Sequence, residues 1–193
     1  MGVPALDKEV YTKEEYFDLL EKSDFKIEWH GGQVRMMSGG KSAHNDIIDN
    51  VFLALANGQK KCKVKNSNNA VAIQSLDKYL FPDLTAVCGK TKYEGKGIAR
   101  IINPSLIVEV LSNSTAEYDR TDKFTYYRSL PSFKEYVLIN SRKLRVDTFY
   151  KETSELWHIG SYYNLEQSVM FRSLGIQVPM QVIYEEIEFG LDY

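Results

Sequence analysis

The chain has only two cysteines, no long apolar run and almost no net charge. Cys62 and Cys88 stand singly, with neither a C-x-x-C pair nor zinc-ligand spacing. That pattern excludes a zinc ribbon, and reduced thiols in a cytoplasmic protein are the expectation. No stretch approaches the length of a membrane span and no signal-peptide pattern is present, so no membrane partner is expected. Met1-Gly2 opens like a myristoylation site, but Leu6 stands where that motif needs Ser or Thr. A formal net charge of −2 supplies no global attraction to nucleic acid, so any such binding has to come from a local patch. No repeat, linker or low-complexity segment divides the chain.

What is present is ordinary for a globular protein: 193 residues, 44% of them hydrophobic and 26% charged. The length suits one α/β domain over residues 11–193, with a mixed central sheet flanked by helices, behind an aperiodic flexible tail over residues 1–10. Thirteen Tyr and nine Phe suit half-buried faces and do not by themselves mark a base-stacking surface.

Thr12 and Glu15 form a capping box, and Tyr16, Leu19 and Leu20 follow with helical spacing to about Ser23. Two extended runs flank His30-Gly31-Gly32, which reads as a hairpin. Alternation sets Lys26, Glu28 and His30 on one face, and Glu28 is by default a solvated strand residue. Ser42 opens a second helix to about Asn57, with Ile47, Val51 and Leu55 as its core stripe. His44 lies in the first turn, where the helix dipole disfavours the protonated ring. A neutral imidazole there can ligate a metal, bond a phosphate or simply decorate the helix end.

Lys61, Lys63 and Lys65 share one face of an extended run and either track a phosphate backbone or guard a sheet edge. Ala70 to Gln74 is the expected partner of that run, across the Asn66–Asn69 turn. Residues 89–102 read as a basic loop. Ser114 and Glu117 form a further capping box, opening a helix to about Leu130. Glu135–Ile139 and Arg145–Tyr150 read as a strand pair, Leu156–Ile159 as a further strand, and Pro179 as the start of a last helix through Ile187. His158 has no companions at ligand spacing and reads as structural.

The chemistry concentrates between Phe81 and Lys123. Asp83 begins the short strand Leu84–Val87, and Glu109 interrupts the apolar strand Leu106–Leu111, which reads as covered on both faces. A carboxylate in such a strand is costly unless paired. If the two strands are neighbours, Asp83 and Glu109 can approach one hard cation, and magnesium favours such oxygen ligands. Asp119 and Lys123 share a helix face, as a surface ion pair or as part of the same site. An acid, a second acid and a lysine around magnesium suit phosphodiester hydrolysis, the lysine facing the phosphate or holding the attacking water. Spacing alone is equally compatible with carboxylates satisfied by lysines and backbone donors.

Several stretches together resemble one family. They are Lys26-Ile27-Glu28-Trp29 with Gly32, Ala43-His44-Asn45, Phe81-Pro82-Asp83, and Asn103 to Ser112 around Glu109. Tyr118-Asp119-Arg120 with Lys123, Tyr127-Arg128, Pro131-Ser132, Glu135 to Leu138 and Ser173-Leu174-Gly175 complete the set. This pattern resembles the Uma-two family of restriction-endonuclease-like proteins, within the PD-(D/E)XK nuclease superfamily, from about Tyr11 to Tyr184. The resemblance implies a restriction-endonuclease-like core and a magnesium-dependent endonuclease acting on DNA, manganese being a possible substitute ion. It makes Asp83 and Glu109 metal-binding carboxylates and Glu28 a further ligand or base, with His44 and Asp119 as possible additional members. The superfamily's lysine would fall at Leu111, so Lys123 is its expected substitute. Gly31 and Gln33 stand where acidic residues are common in the family's hairpin. Cutting both strands of a duplex takes two sites, a requirement that a homodimer would meet. The alternative is an inactive nucleic-acid-binding or scaffold protein that keeps the fold.

Overall fold

The capping box at the start of the chain forms as its residues dictate. Thr12 accepts from the Glu15 amide, Glu15 accepts from the Thr12 amide, and helix α1 runs over Lys13–Lys22. The structure, a computed structural model, describes residues 8–37, 39–58 and 60–189; most of the tail expected over residues 1–10 lies outside them. Strands β1 (Ile27–His30) and β2 (Gln33–Met36) make the expected hairpin, closed by Gly31 and Gly32, both at positive φ. Helix α2 (Ser42–Gly58) buries Ile47, Val51 and Leu55. Then come β3 (Cys62–Asn66), β4 (Ala70–Ile73), β5 (Lys78–Leu80), β6 (Leu84–Cys88), β7 (Arg100–Ile101) and β8 (Leu106–Leu111).

A helical segment follows in three parts. These are α3 (Ala116–Tyr118), a π-helical turn over Asp119–Lys123, and α4 (Phe124–Arg128). The chain ends in β9 (Glu135–Asn140), β10 (Val146–Lys151), β11 (Trp157–Tyr162), β12 (Ser168–Phe171), β13 (Ile176–Pro179) and α5 (Met180–Ile183).

The described strands form a six-stranded sheet in the order β11-β10-β9-β8-β6-β3 and a five-stranded sheet in the order β2-β1-β5-β4-β7. The pair β12-β13 stands separately. In the large sheet only β8 and β9 run parallel, so the sheet is mixed. A parallel pair needs a crossover, and α3, the π turn and α4 supply it. That helical segment therefore covers the face that carries Ile107, Glu109 and Leu111. Its Tyr127 packs with Ile107, Leu111, Tyr136 and Leu138. The opposite face carries Leu106, Val108 and Val110, with Leu84 and Ala86, against the α2 stripe. Fully burying one such aliphatic side chain contributes about 1.5–3 kcal/mol, so the α2 stripe alone anchors that helix firmly.

Several expectations are corrected. Cys62 and Cys88 are not free thiols: antiparallel pairing of β3 with β6 sets them opposite each other, and they form a disulfide. The Asn66–Asn69 turn does not join a paired hairpin. β3 pairs with β6, while β4 joins β5 and β7 in the other sheet, because Val71 and Ile73 pack into the core against Leu80 and Ile107. The basic loop over 89–102 contains β7 and a bridge between Tyr93 and Ile101. The crossover helix is not capped by Ser114. Its N-cap is Thr115, whose hydroxyl pairs with Ser112 at 3.0 Å and caps no amide. The last helix is a single short turn, α5, preceded by a strand pair whose alternation is too short to read from the chain.

Candidate active site

Pro82 holds Phe81 in an extended conformation and delivers Asp83 to the start of β6. Since β6 and β8 pair antiparallel with Leu84 opposite Val108, Asp83 and Glu109 come together across the ladder. The Val110 amide donates to Asp83 Oδ2 at 2.7 Å, and the Asp83 amide donates to Glu109 Oε2 at 3.4 Å. Glu109 faces the crossover helix. There Lys123 Nζ donates to Glu109 Oε1 at 3.1 Å and the Tyr127 hydroxyl donates to the same oxygen at 3.2 Å. Lys123 also reaches Asp119 Oδ1 at 3.2 Å and Glu28 Oε1 at 3.6 Å.

Glu28 arrives from β1. Its Oε1 accepts from the Phe81 amide at 3.2 Å, and its Oε2 lies 3.5 Å from both the Tyr118 hydroxyl and His30 Nε2. His44, in the first turn of α2, places Nε2 3.5 Å from Asp83 Oδ2. Gly40 lets the preceding loop close on this turn, since a Cβ there would lie 2.4 Å from His44 Nδ1. These groups line a cavity of about 500 Å³ that includes Glu28, His44, Asp83, Glu109, Asp119 and Lys123 in its wall. They are deeply set: Glu28, Glu109 and Asp119 are 2% exposed, Lys123 3% and Asp83 9%.

Two expectations about single residues change as a result. Glu28 is a buried member of the cluster rather than a solvated strand residue, because β1 lies beside β5 within a sheet and not on an open surface. Asp119 and Lys123 form a buried pair rather than a surface one. Lys61, Lys63 and Lys65 stand elsewhere. Lys63 and Lys65 are on β3, the edge of the large sheet, with Lys61 just before it, and none of the three lines the cavity. His158 is exposed and pairs with Glu152 at 2.8 Å.

Electrostatics tie the cluster together. Burial opposes the charge on Lys123, but Glu109, Glu28 and Asp119 outweigh it and hold the ammonium well above the ordinary lysine range. Burial pushes Glu109 well above the ordinary carboxylate range; Lys123 opposes that rise while Asp119 and Asp83 add to it. Asp119 is likewise raised by burial. Glu28 is lowered on balance, its burial outweighed by Lys123, His30 and the Phe81 amide. His44 was expected to be neutral. Burial does lower it, but Asp83 outweighs burial and raises it above the usual histidine value.

Three carboxylates, Glu109, Glu28 and Asp119, therefore share one lysine, while Asp83 stands beside His44. Negative charge in the cluster exceeds what Lys123 supplies, and burial with the neighbouring acids raises Glu109 and Asp119. Among the described residues no group of three or more His, Cys, Asp or Glu side chains is arranged to hold a metal ion. Magnesium does not need one, since it is commonly held by one or two carboxylates and keeps several waters. Asp119 Oδ1, itself buried, has Lys123 Nζ at 3.2 Å, the same ammonium that Glu109 and Glu28 draw on. The donor set fits a hard divalent cation.

The residues that sequence reasoning missed are mostly partners of those it found. Tyr127 follows Asp119 and Lys123 at the same four-residue step, a visible signal. His30 shares the alternating strand face of Glu28, a second visible signal, whereas the amides of Phe81 and Val110 carried none.

The sheet order, the parallel β8–β9 pair and the crossover helix define a restriction-endonuclease-like α/β fold. The structure matches the crystal structure of a "putative nuclease belonging to DUF820" from Anabaena variabilis with a TM-score of 0.73. The match covers 91% of this chain and 98% of that one at 12% sequence identity. Residues 13–181 match the model of the Uma2 family, described as "Putative restriction endonuclease", and the chain belongs to that family. It is also 31% identical over 181 residues to the uncharacterized protein slr1290 of Synechocystis, covering 92% of this chain and 93% of that protein. A second Synechocystis protein, sll1609, is 31% identical over 159 residues, covering 81% of this chain and 89% of its own length. Among the described residues no helix is long and apolar enough to cross a membrane.

Proposed function

We propose that the protein is a magnesium-dependent endonuclease that hydrolyses DNA phosphodiester bonds at the Asp83–Glu109–Lys123 cluster. The observation that carries this reading is the pairing of Asp83 and Glu109 on neighbouring strands, with Lys123 on the second carboxylate, in the wall of a cavity. The family and the nuclease-like fold support the reaction class. Asp83 and Glu109 would hold the magnesium ion, which when bound supplies positive charge to the phosphate and lowers the pKa of a water.

The chain's own groups do the rest. Lys123 keeps its proton through three carboxylate neighbours and presents a fixed positive charge where negative charge grows on the phosphate oxygens. Tyr127 and Lys123 occupy Glu109 Oε1 and so fix the rotation of that carboxylate. Glu28 holds Lys123 from the other side and is itself held by the Phe81 amide. A water oxygen bonds to phosphorus and gives up a proton as the ester P–O bond breaks, and the leaving oxygen takes up a proton in exchange, so that one water is consumed.

The test is cleavage of labelled DNA with magnesium or manganese by wild type, Asp83→Asn and Glu109→Gln. Metal-dependent cutting lost in both variants supports the reading, whereas equal cutting by wild type and variants overturns the site.

A further inference from the structure

We infer that the strand this site takes is an unpaired one, a single strand, flap or frayed end, rather than the backbone of an intact duplex. The inference rests on the proposed nuclease reading and names its substrate. The groups that would meet the phosphate are 2–9% exposed and stand in the wall of a cavity of about 500 Å³. That volume is on the scale of pockets that enclose one small ligand. A duplex presents its phosphates on the outside of a stiff rod, with the paired strand and the flanking nucleotides attached. Base-modifying enzymes whose reacting groups are similarly recessed act on single strands or first pull a nucleotide out of the stack.

The surroundings of the cavity fit an unpaired strand for a second reason. Tyr118, in the cavity wall, has the Arg35 guanidinium 4.6 Å from its ring centre, and His30 meets it edge-on at 6.1 Å. Tyr126 lies 6.5 Å from His30, with Lys78 Nζ 4.3 Å above its own ring. Rings and cations are thus interleaved from Tyr118, whose ring also has Lys123 Nζ at 5.6 Å, through His30 to Tyr126. Arg planes and aromatic rings are the surfaces on which unpaired bases stack, and interleaved cations follow the backbone. Duplex binding depends instead on many phosphate contacts to a basic face, and the chain carries a net charge of −2. An unpaired strand also needs one site rather than two, so the requirement for a dimer falls away.

The experiment compares a labelled single strand, a duplex bearing a single-stranded flap and a blunt duplex of the same sequence. Binding is followed by fluorescence anisotropy with calcium, and cutting with magnesium or manganese. The inference expects the single strand and the flap to bind and be cut at least about tenfold better than the blunt duplex. It also expects Arg35→Ala and Tyr118→Leu/Arg35→Ala to weaken strand binding, the double variant by about tenfold or more. Equal or preferential binding of the blunt duplex overturns it. Binding of the unpaired strand with no cutting of any substrate keeps the accessibility argument and overturns the nuclease reading instead.

Discussion

Asp83 and Glu109 hold each other in place: the Asp83 amide donates to Glu109 Oε2 at 3.4 Å, while the next amide after Glu109, that of Val110, donates to Asp83 Oδ2 at 2.7 Å. Each acid is thus oriented by the backbone that carries the other. Replacing Asp83 by Asn or Glu109 by Gln preserves shape and removes charge. Both variants are expected to lose manganese binding in titration calorimetry by at least about a hundredfold, a larger effect than loss of a supporting group causes. Retained binding in either variant would place the cation elsewhere.

Tyr127 is expected to act through Glu109. Tyr127→Phe removes the hydroxyl that donates to Glu109 Oε1 at 3.2 Å and leaves the ring in its packing. A bond to a charged acceptor is worth about 1.5–3 kcal/mol. Manganese affinity should fall by about tenfold, in the range seen for groups that orient a ligand, while strand affinity measured in calcium stays near wild type. An unchanged metal affinity would reduce Tyr127 to a packing role.

Lys123→Met leaves Glu109, Asp119 and Glu28 without their shared cation. Breaking a buried pair from one side costs about 3–5 kcal/mol. Urea unfolding should register that loss, and adding Glu109→Gln should recover part of it, with a coupling of about 1–3 kcal/mol. Simple additivity of the two substitutions would mean that the pair is not coupled.

Stability should depend on pH in a direction set by the raised acids. Glu109 and Asp119 bind protons more tightly in the folded chain than in the unfolded one. Their contribution is full below the ordinary values of 4.5 and 3.8 and is lost as pH rises through their folded values. Glu28 runs the other way: its contribution is present above 4.5 and is lost as pH falls through its lowered value. The metal-free protein should therefore gain thermal stability, relative to Glu109→Gln, as pH falls from about 7.5 to about 5. Added manganese should raise the melting temperature more at the upper end of that window. A flat difference between the two proteins would show that Glu109 keeps an ordinary pKa.

The disulfide should carry part of the stability. Cys62 and Cys88 close a loop with a sequence separation of 26, and loop entropy assigns such a link about 3 kcal/mol. The Cys62→Ser/Cys88→Ser variant should unfold at lower urea by that order, with the cavity and its metal affinity intact. Loss of metal binding in a folded variant would tie β6 geometry to the cross-link.

The local elements were legible because their causes are local. The Thr12–Glu15 cap, the α2 stripe, the Gly31-Gly32 hairpin and the buried run around Glu109 each follow from spacing within one segment. The corrected pairings all depend on distant partners. Whether β3 meets β4 or β6 is decided by which face finds the core, and with it whether Cys62 meets Cys88. The capping box at Ser114 failed because Ser112 competes for the hydroxyls of its neighbours.

By itself the sequence determined which residues bear charge inside apolar strands, and a carboxylate in such a strand requires a partner wherever the chain goes. Which partner each one receives was decided only by the tertiary structure. The parallel β8–β9 crossover lays Lys123 and Tyr127 over Glu109, and the β1–β5 pairing turns Glu28 from a surface residue into a buried one. Such contacts cost chain entropy that only the whole core can offset, so no single segment contains their cause.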